Sequence, residues 1–182
     1  MTIQRIEKSR IICLNGEITS ELAMEFNIML LAMEQEAPGE AITLYLNSPG
    51  GEVLAGLSMI DTMNLISCPI HTVCIGLAAS MAAMILMSGE KGHRRILPHS
   101  EVVIHQPLGS LYGTMQATEI EIVSSSIIKT RDSLYQIIHD CTGQPLEKIA
   151  VDCDRDYRLS ALEAIEYGIV DSVISKNSRR ER

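Results

Sequence analysis

The chain has 182 residues, a length typical of one domain. Its 23 acidic side chains outnumber its 15 basic ones, and the net charge of −8 argues against a protein built to coat nucleic acid or an anionic membrane. Because 46% of the residues are hydrophobic, the chain can bury a sizeable core, which excludes a disordered protein. The sequence therefore predicts a single domain over residues 1–182, with neither nucleic acid nor a membrane among its partners.

Three features bear on the cellular compartment. The longest apolar run, residues 73–87, has 15 residues and is too short to span a bilayer. The first ten residues lack the apolar stretch and cleavage site of a signal peptide. Five cysteines without a C-x-x-C pair favour free thiols over disulfides or metal ligands. We therefore expect a cytoplasmic protein without a cofactor.

Strands and helices are predicted to alternate along the chain, from hydrophobic periodicity and turn signals. Strands are expected over residues 10–14, 41–46, 71–75, 94–97, 101–104 and 169–174. Helices are expected from Thr19 or Ser20 to 35, over 53–66, 80–87 and 116–140, and after a capping box of Ser160 and Glu163, ending at Gly168. This order predicts an α/β layered fold with parallel strands and helical crossovers.

The longest predicted helix, 116–140, would extend about 38 Å. Part of its apolar face is expected either to meet another subunit or to pack entirely in the core, and the sequence alone leaves both open. A short N-terminal segment, 1–9, and a polar tail, 175–182, flank the predicted elements, and the tail is expected to fray.

Ser80 is the first candidate for chemistry. It follows the small-residue run GLAA and opens a predicted helix, so its hydroxyl would lie among backbone N–H groups that have no helical partner. An acyl-transfer nucleophile needs such a position. Considered alone, Ser80 is better explained as an ordinary helix N-cap in a tightly packed core, and it lacks the G-x-S-x-G signature of the α/β hydrolases.

His105 is the candidate base. It ends the apolar strand VVI and precedes Gln106 and Pro107, so the strand pairing should break there and the imidazole should point outward. The acid is left open among Asp152, Asp154 and Asp156, whose D-x-D-x-D spacing also suggests a calcium loop. Tyr157 replaces the glycine that such a loop requires, so no metal site is predicted.

Six segments together resemble the proteolytic subunits of Clp proteases, over residues 10–174. They occur in the family's order, which makes the combination specific although each motif alone is not. The segments are LYLNSPGGEVLAG (44–56), CIGLAASMAA (74–83), VIHQPLG (103–109), QATEIEI (116–122), HDCTGQPLEKI (139–149) and DCDRDYRLSALEAIEYGIVDSVI (152–174).

The resemblance implies a crotonase-like α/β fold and a serine endopeptidase. Residue by residue, Ser80 matches the family's nucleophile, His105 its base and Asp156 its acid, in the chain order Ser, His, Asp with spacings of 25 and 51 residues. Gly51 and Met81 match the two backbone N–H donors of the oxyanion hole.

The resemblance also implies an assembly of two stacked heptameric rings, a tetradecamer that cleaves unfolded polypeptides in an enclosed chamber. The segment 106–140 would form a handle between rings, with Asp154 and Arg155 in ion pairs across the ring contact. A separate AAA+ Clp unfoldase must supply ATP hydrolysis, because the chain has no G-x-x-x-x-G-K-[ST] loop. Only about ten residues precede the matching region, where family members usually have more. Pore gating and ATPase docking are therefore left open.

Two other functions remain as alternatives. The chain is either an inactive or partner-dependent ring subunit, possible in a mixed ring with a paralogue, or, less favoured, a crotonase-fold acyl-CoA enzyme. The complete triad argues against an inactive subunit, and the absence of a CoA-binding pattern argues against an acyl-CoA enzyme.

Overall fold

The computed structural model describes residues 2–7, 9–109, 114 and 116–175. Strands and helices alternate over most of this part of the chain. The strands are β1 Thr2–Arg5, β2 Ile11–Asn15, β3 Ile42–Ser48, β4 Ile70–Ala79, β5 Arg94–Ile96, β6 Glu101–Ile104, β7 Tyr157–Ser160 and β8 Ser172–Val173. The helices are α1 Ser20–Glu36, α2 Val53–Leu65, α3 Met81–Met87, α4 Ala117–Thr142, α5 Leu146–Asp152 and α6 Ala161–Tyr167.

All eight strands join one sheet with a mainly parallel centre. The order β1-β2-β3-β4-β5-β8 forms the main path, and β6 and β7 lie off it. Pairing is parallel from β2 through β8 and between β4 and β6, whereas β1 with β2 and β6 with β7 are antiparallel. The predicted α/β fold with parallel strands is confirmed, with two antiparallel pairs that the sequence did not predict.

The sheet branches at the central strand β4, because different parts of this strand pair with different neighbours. Its residues Thr72–Cys74 pair with β5, and its later residues Leu77–Ala79 pair with β6. At the division, the Gly76 N–H donates to the Ser100 hydroxyl at 2.7 Å, and that hydroxyl donates to the Cys74 carbonyl at 3.2 Å. The Ser100 side chain therefore replaces strand pairing where β4 changes neighbours.

Helices α1, α2 and α3 supply much of the helical part of the core. Helix α3 is buried along its whole length, because all seven of its side chains are apolar and pack inside. Its neighbours α1 and α2 contribute the buried residues Phe26, Leu30, Met33 and Met59. The few aromatic residues leave this core mainly to aliphatic side chains and methionine.

Most predicted element boundaries agree with the structure to within a few residues. Thr19 caps α1 by accepting from the Leu22 N–H, Ser160 and Glu163 form the predicted capping box, and Gly168 ends α6 in the left-handed conformation. The predicted final strand is wrong in length, because pairing is confined to Ser172–Val173. Strands β1 and β7 and helix α5 were not predicted.

The N-terminal half of α4 has an exposed apolar surface. Buried side chains of this helix are confined to its C-terminal half, at Leu134, Tyr135 and Ile138. In the first half, Ile120 of the predicted apolar face is 41% exposed, Val123 and Ile127 are half-buried, and Ile122 beside them is 70% exposed. Packing of the whole apolar face in this chain's core, one of the two sequence-based possibilities, is therefore wrong.

The five cysteines are free thiols, as predicted, and three of them are buried. Burial raises the pKa of the Cys74 and Cys153 thiols to about 12, so both stay protonated. Across the described ranges, no helix combines the length and the apolar character needed to cross a membrane. Apart from Ser175, the tail predicted to fray lies outside the described residues.

Arg94 ties the end of the sheet to two helices. Its guanidinium is 4% exposed and binds the Asp171 carboxylate, with Nη2 to Oδ1 at 2.7 Å. Its Nη1 donates to the carbonyls of Met87 at 3.3 Å and Cys141 at 2.9 Å, at the ends of α3 and α4. Burial alone would raise the pKa of Asp171, but the hydrogen bonds and charge of Arg94 outweigh it and hold the pKa below its usual range.

Candidate active site

Ser80 lies at the junction of β4 and α3 in a rare backbone conformation. Its φ of 54° and ψ of −125° make it the single non-glycine residue with positive φ in the described part of the chain. The backbone is fixed there, because the Ser80 N–H donates to the Val103 carbonyl at 2.9 Å and the Ser80 carbonyl accepts from Ala83 and Met84. Ser80 occupies the N-cap position of α3, as the ordinary interpretation predicts, but its hydroxyl makes no capping hydrogen bond.

Such a conformation costs on the order of 1–3 kcal/mol and persists only where the surrounding structure imposes it. Strain of this kind concentrates at functional sites, and a sharp strand-to-helix turn is also how the α/β hydrolases expose their nucleophilic serine.

Gly50 allows the chain to pass directly beside this turn. Its φ is 93°, and a Cβ added there would lie 2.6 Å from both the Ala79 carbonyl oxygen and the Ser80 Cβ. No side chain fits in that space, since the neighbouring atoms belong to the backbone and to the strained serine. Gly50 therefore allows close packing against the Ser80 turn, in addition to its place in the turn after Pro49.

We expect Gly50→Ala to disrupt the site. The added methyl must displace the Ser80 turn, and alanine is also strained at positive φ. Peptide hydrolysis should fall by at least about 100-fold, because a displacement near 1 Å costs that much. Gly39→Ala is the matched control, since Gly39 also has positive φ but an added Cβ meets nothing within 4 Å. Equal rates in the two variants would contradict the role of Gly50.

Two backbone N–H groups near Ser80 are not used by the hydrogen bonds of the neighbouring turn and helix. A bridge joins Ile18 to the glycine turn, with Ile18 N–H donating to the Gly50 carbonyl and Glu52 N–H donating to the Ile18 carbonyl. This pattern does not use the Gly51 N–H. The Met81 N–H, in the first turn of α3, has no helical acceptor either. Both residues line one cavity with Ser80.

That cavity has a volume of about 130 Å³ and a largely apolar wall. It also contains His105, so the structure brings four of the five predicted catalytic and oxyanion-hole residues to one place. Its lining residues are Gly51, Val53, Ser80, Met81, Met84, Ile104, His105, Pro107, Leu108, Leu134, Tyr135 and Ile138. Burial raises the pKa of the Tyr135 phenol, which keeps it protonated.

The His105 ring is oriented by the next residue in the chain. Its Nδ1 lies 2.6 Å from the Gln106 carbonyl oxygen. A carbonyl oxygen can only accept, so we assign the proton to Nδ1. The other nitrogen, Nε2, is then the basic one, as removal of a serine proton requires.

Asp156 does not line the cavity, although its backbone is close to that of His105. The antiparallel register of β6 and β7 ends with Ile104 paired to Tyr157, so His105 and Asp156 are the next residues beyond the paired strands. The Asp156 carboxylate is 63% exposed and lies 3.8 Å from the Arg158 guanidinium. Of the described residues, Gln106 rather than Asp156 accepts from His105.

Asp154 and Arg155 lie on the surface beside the site. Their side chains are 66% and 90% exposed, and the Arg155 Nε is 3.8 Å from the Asp154 carboxylate. The Asp154 carbonyl and carboxylate both accept from the Gln106 amide. Gln106 and Tyr135 were not identified from the sequence, because a glutamine before proline and a tyrosine in a helix carry no specific signal.

An α/β sheet with this division at β4 and a serine at the strand-to-helix junction is consistent with the crotonase-like fold of the Clp proteases. The sequence model of the family described as Clp protease matches residues 1–177. The chain belongs to the Clp protease family. Its predicted family and enzyme class, a protease of the Clp type, are confirmed.

Two relatives show how close the similarity is. The ATP-dependent Clp protease proteolytic subunit 1 of Bacillus cereus is 50% identical over 172 residues, covering 94% of this chain and 88% of the relative. The ATP-dependent Clp protease proteolytic subunit of Leuconostoc citreum is 44% identical over 176 residues, covering 97% of this chain and 88% of the relative.

Proposed function

We propose that the chain is a serine endopeptidase, the proteolytic subunit of an ATP-dependent Clp protease, and that it hydrolyses peptide bonds in unfolded polypeptides. The strained Ser80, facing a cavity that it shares with His105, is the observation that carries this proposal. The backbone has been forced into a costly conformation at the one residue that the reaction needs as nucleophile.

The geometry supports a mechanism in which Ser80 Oγ attacks the peptide carbonyl while His105 Nε2 takes its proton. The Gly51 and Met81 N–H groups would hold the oxyanion, and His105 then protonates the leaving amine. Water, activated by the same imidazole, releases the acyl-enzyme. Asp156 would stabilise the imidazolium after its carboxylate turns from Arg158 to His105 Nδ1, since both residues lie just beyond the paired residues Ile104 and Tyr157.

A fluorophosphonate probe tests this function. We expect covalent labelling of Ser80 and hydrolysis of small peptides without ATP, and degradation of folded proteins only with a AAA+ unfoldase and ATP. An acyl-CoA enzyme without a serine nucleophile would not be labelled at Ser80. Absence of both labelling and hydrolysis, alone and in mixed assemblies, would refute the serine mechanism.

One observation favours a partner-dependent subunit as the second candidate function. In the single chain, Asp156 is paired with Arg158 rather than His105, so the triad is not complete without a rearrangement. Contacts within an assembly would supply that rearrangement. An isolated protein that is inactive but gains labelling at Ser80 when mixed with a second Clp proteolytic subunit would support this function over the self-sufficient one.

We further propose a tetradecamer of two stacked heptameric rings, each chain contributing one domain with its handle at 106–140. The exposed isoleucines of α4 support this arrangement, because an apolar surface on such a helix needs a covering partner. Asp154 and Arg155 are exposed and available for ion pairs between rings. The names of the relatives, subunits of ATP-dependent proteases, support a separate ATPase partner.

Arg155→Ala should weaken ring stacking and, with it, catalysis. Arg155 is adjacent to Asp156, so losing its partner across the ring contact removes a restraint on the triad acid. We expect sedimentation velocity to show more single rings and the peptidase rate to fall severalfold. Arg5→Ala, which removes a guanidinium from the ion pair with Glu36 in α1, is the control. If Arg155→Ala leaves both sedimentation and rate unchanged, Arg155 forms only a surface pair worth under about 1 kcal/mol.

A further inference from the structure

Gln106 joins the base-bearing strand to the loop that carries the proposed acid. Its backbone N–H donates to the Cys153 carbonyl at 2.8 Å. Its side-chain amide donates to the Asp154 carbonyl oxygen at 3.1 Å and to the Asp154 carboxylate at 3.4 Å. Its own carbonyl accepts from His105 Nδ1 at 2.6 Å. One residue therefore contacts the imidazole and is itself held to residues 153 and 154.

The direction of the Gln106 carbonyl depends on these anchors. A peptide group is planar, so its carbonyl can rotate only if the flanking backbone rotates with it. The N–H to Cys153 restrains one side of the residue, and the side-chain amide to Asp154 restrains the other. With both in place, the carbonyl stays aimed at Nδ1 and selects the tautomer whose Nε2 is basic.

We propose that Gln106 is a positioning residue, which holds His105 in the Nδ1-protonated tautomer through its carbonyl until the Asp156 carboxylate turns to Nδ1, and which links the imidazole to the Asp154 segment through its amide. This inference rests on the proposed serine mechanism. Gln106 does not touch substrate in it, and acts only through His105. Because Asp154 is also a proposed ring contact, Gln106 gives that contact a direct route to the base.

The test compares substitutions at Gln106 with the same change at Gln144, which is a close match. The Gln144 carbonyl accepts from His139 Nδ1 at 2.7 Å, and its amide donates to the Tyr167 carbonyl at 3.1 Å, outside the cavity that contains Ser80. Methionine preserves the length of glutamine but cannot donate. Gln106→Glu removes the donor and places a carboxylate beside that of Asp154.

Gln106→Met should lower kcat for a small peptide about tenfold, since a misaligned base acts on the chemical step, while KM stays within about twofold. Gln106→Glu should be slower still, and Gln144→Met should keep the wild-type kcat. Unchanged kcat in Gln106→Met, or an equal loss in Gln144→Met, would overturn the proposal, since either would mean that the hydrogen bonds of Gln106 are dispensable.

A second measurement is independent of activity. Nitrogen NMR of histidine-labelled protein, with the His105 signals assigned from a His105→Gln sample, reports which ring nitrogen is protonated. We expect Nδ1 to be protonated in the wild type and a smaller Nδ1-protonated share in Gln106→Met. A wild type that neither labels nor hydrolyses would refute the serine mechanism, yet this spectrum still decides whether Gln106 sets the tautomer. An unchanged tautomer in Gln106→Met would refute that role.

Discussion

Ser80→Ala should abolish peptide hydrolysis while leaving the fold intact. The hydroxyl makes no capping hydrogen bond, so its removal costs the helix nothing that the structure depends on. Loss of a serine nucleophile lowers kcat by on the order of 10⁴-fold or more, the residual rate coming from binding and the oxyanion hole. Initial rates on a fluorogenic peptide, with circular dichroism and sedimentation to check folding and assembly, measure this.

The matched control is Ser58→Ala in α2, whose hydroxyl donates to the Ala55 carbonyl at 2.8 Å, away from the cavity. It should retain nearly full activity. A metal chelator should also leave the wild-type rate unchanged. Full activity in Ser80→Ala, or loss of activity on chelation, would contradict the serine mechanism.

Arg94→Met should cause the largest loss of stability among single charge removals. The change leaves Asp171 half-buried without its cation, and it strips a donor from the carbonyls of Met87 and Cys141. Breaking a buried ion pair from one side costs about 3–5 kcal/mol. For a chain of this size we expect the melting temperature to fall by on the order of 10 °C. Calorimetry at neutral pH measures the shift.

A control variant and a pH series test the role of the Asp171 carboxylate in this loss. Arg5→Met removes a guanidinium from the more exposed pair with Glu36, and should cost under about 1 kcal/mol. Because Arg94 holds the pKa of Asp171 low, its stabilisation is present above the unfolded-state pKa and is lost as the pH falls through the folded one. The difference between wild type and Arg94→Met should therefore shrink below about pH 4. A difference that is constant with pH would mean that the charge of Asp171 is not involved.

Local signals in the sequence predicted the elements whose ends are fixed by their own residues. The free backbone groups at these helix ends form hydrogen bonds with residues within one turn, at Thr19, the Ser160 and Glu163 box, and Gly168. Such caps can be predicted without the tertiary structure. Strand β7, YRLS, has no such signal, because it is a strand only through pairing with β6. The buried residues Ile169 and Val170 led to an overlong last strand, since burial there comes from packing beside α6 rather than from strand pairing.

The same limit applies to the candidate site, where only part of the arrangement could be predicted from local sequence. Spacing alone did not choose among the three aspartates that follow residue 151, and the resemblance to the Clp family supplied Asp156. The structure gives a physical reason for that choice. Asp152 binds Lys148 and Tyr167, and Asp154 accepts from Gln106, whereas Asp156 directly precedes Tyr157, the partner of Ile104 in the strand register. Gln106 and His105 lie far from the aspartates in the sequence, so no local pattern predicts their proximity.

The division of the sheet at β4 means that β6 and β7 form a separate two-stranded leaf, which pairs with β4 at Leu77–Ala79 and accepts the Ser80 N–H at the Val103 carbonyl. His105 directly follows β6, and Asp156 directly precedes β7. A displacement of the leaf would therefore carry both residues with it. A tilt of the leaf about that short seam would change the distance from base to nucleophile and leave the spacing of base and acid nearly constant. Any contact that displaced this leaf would therefore act on the base and the proposed acid together, and change their position relative to the nucleophile.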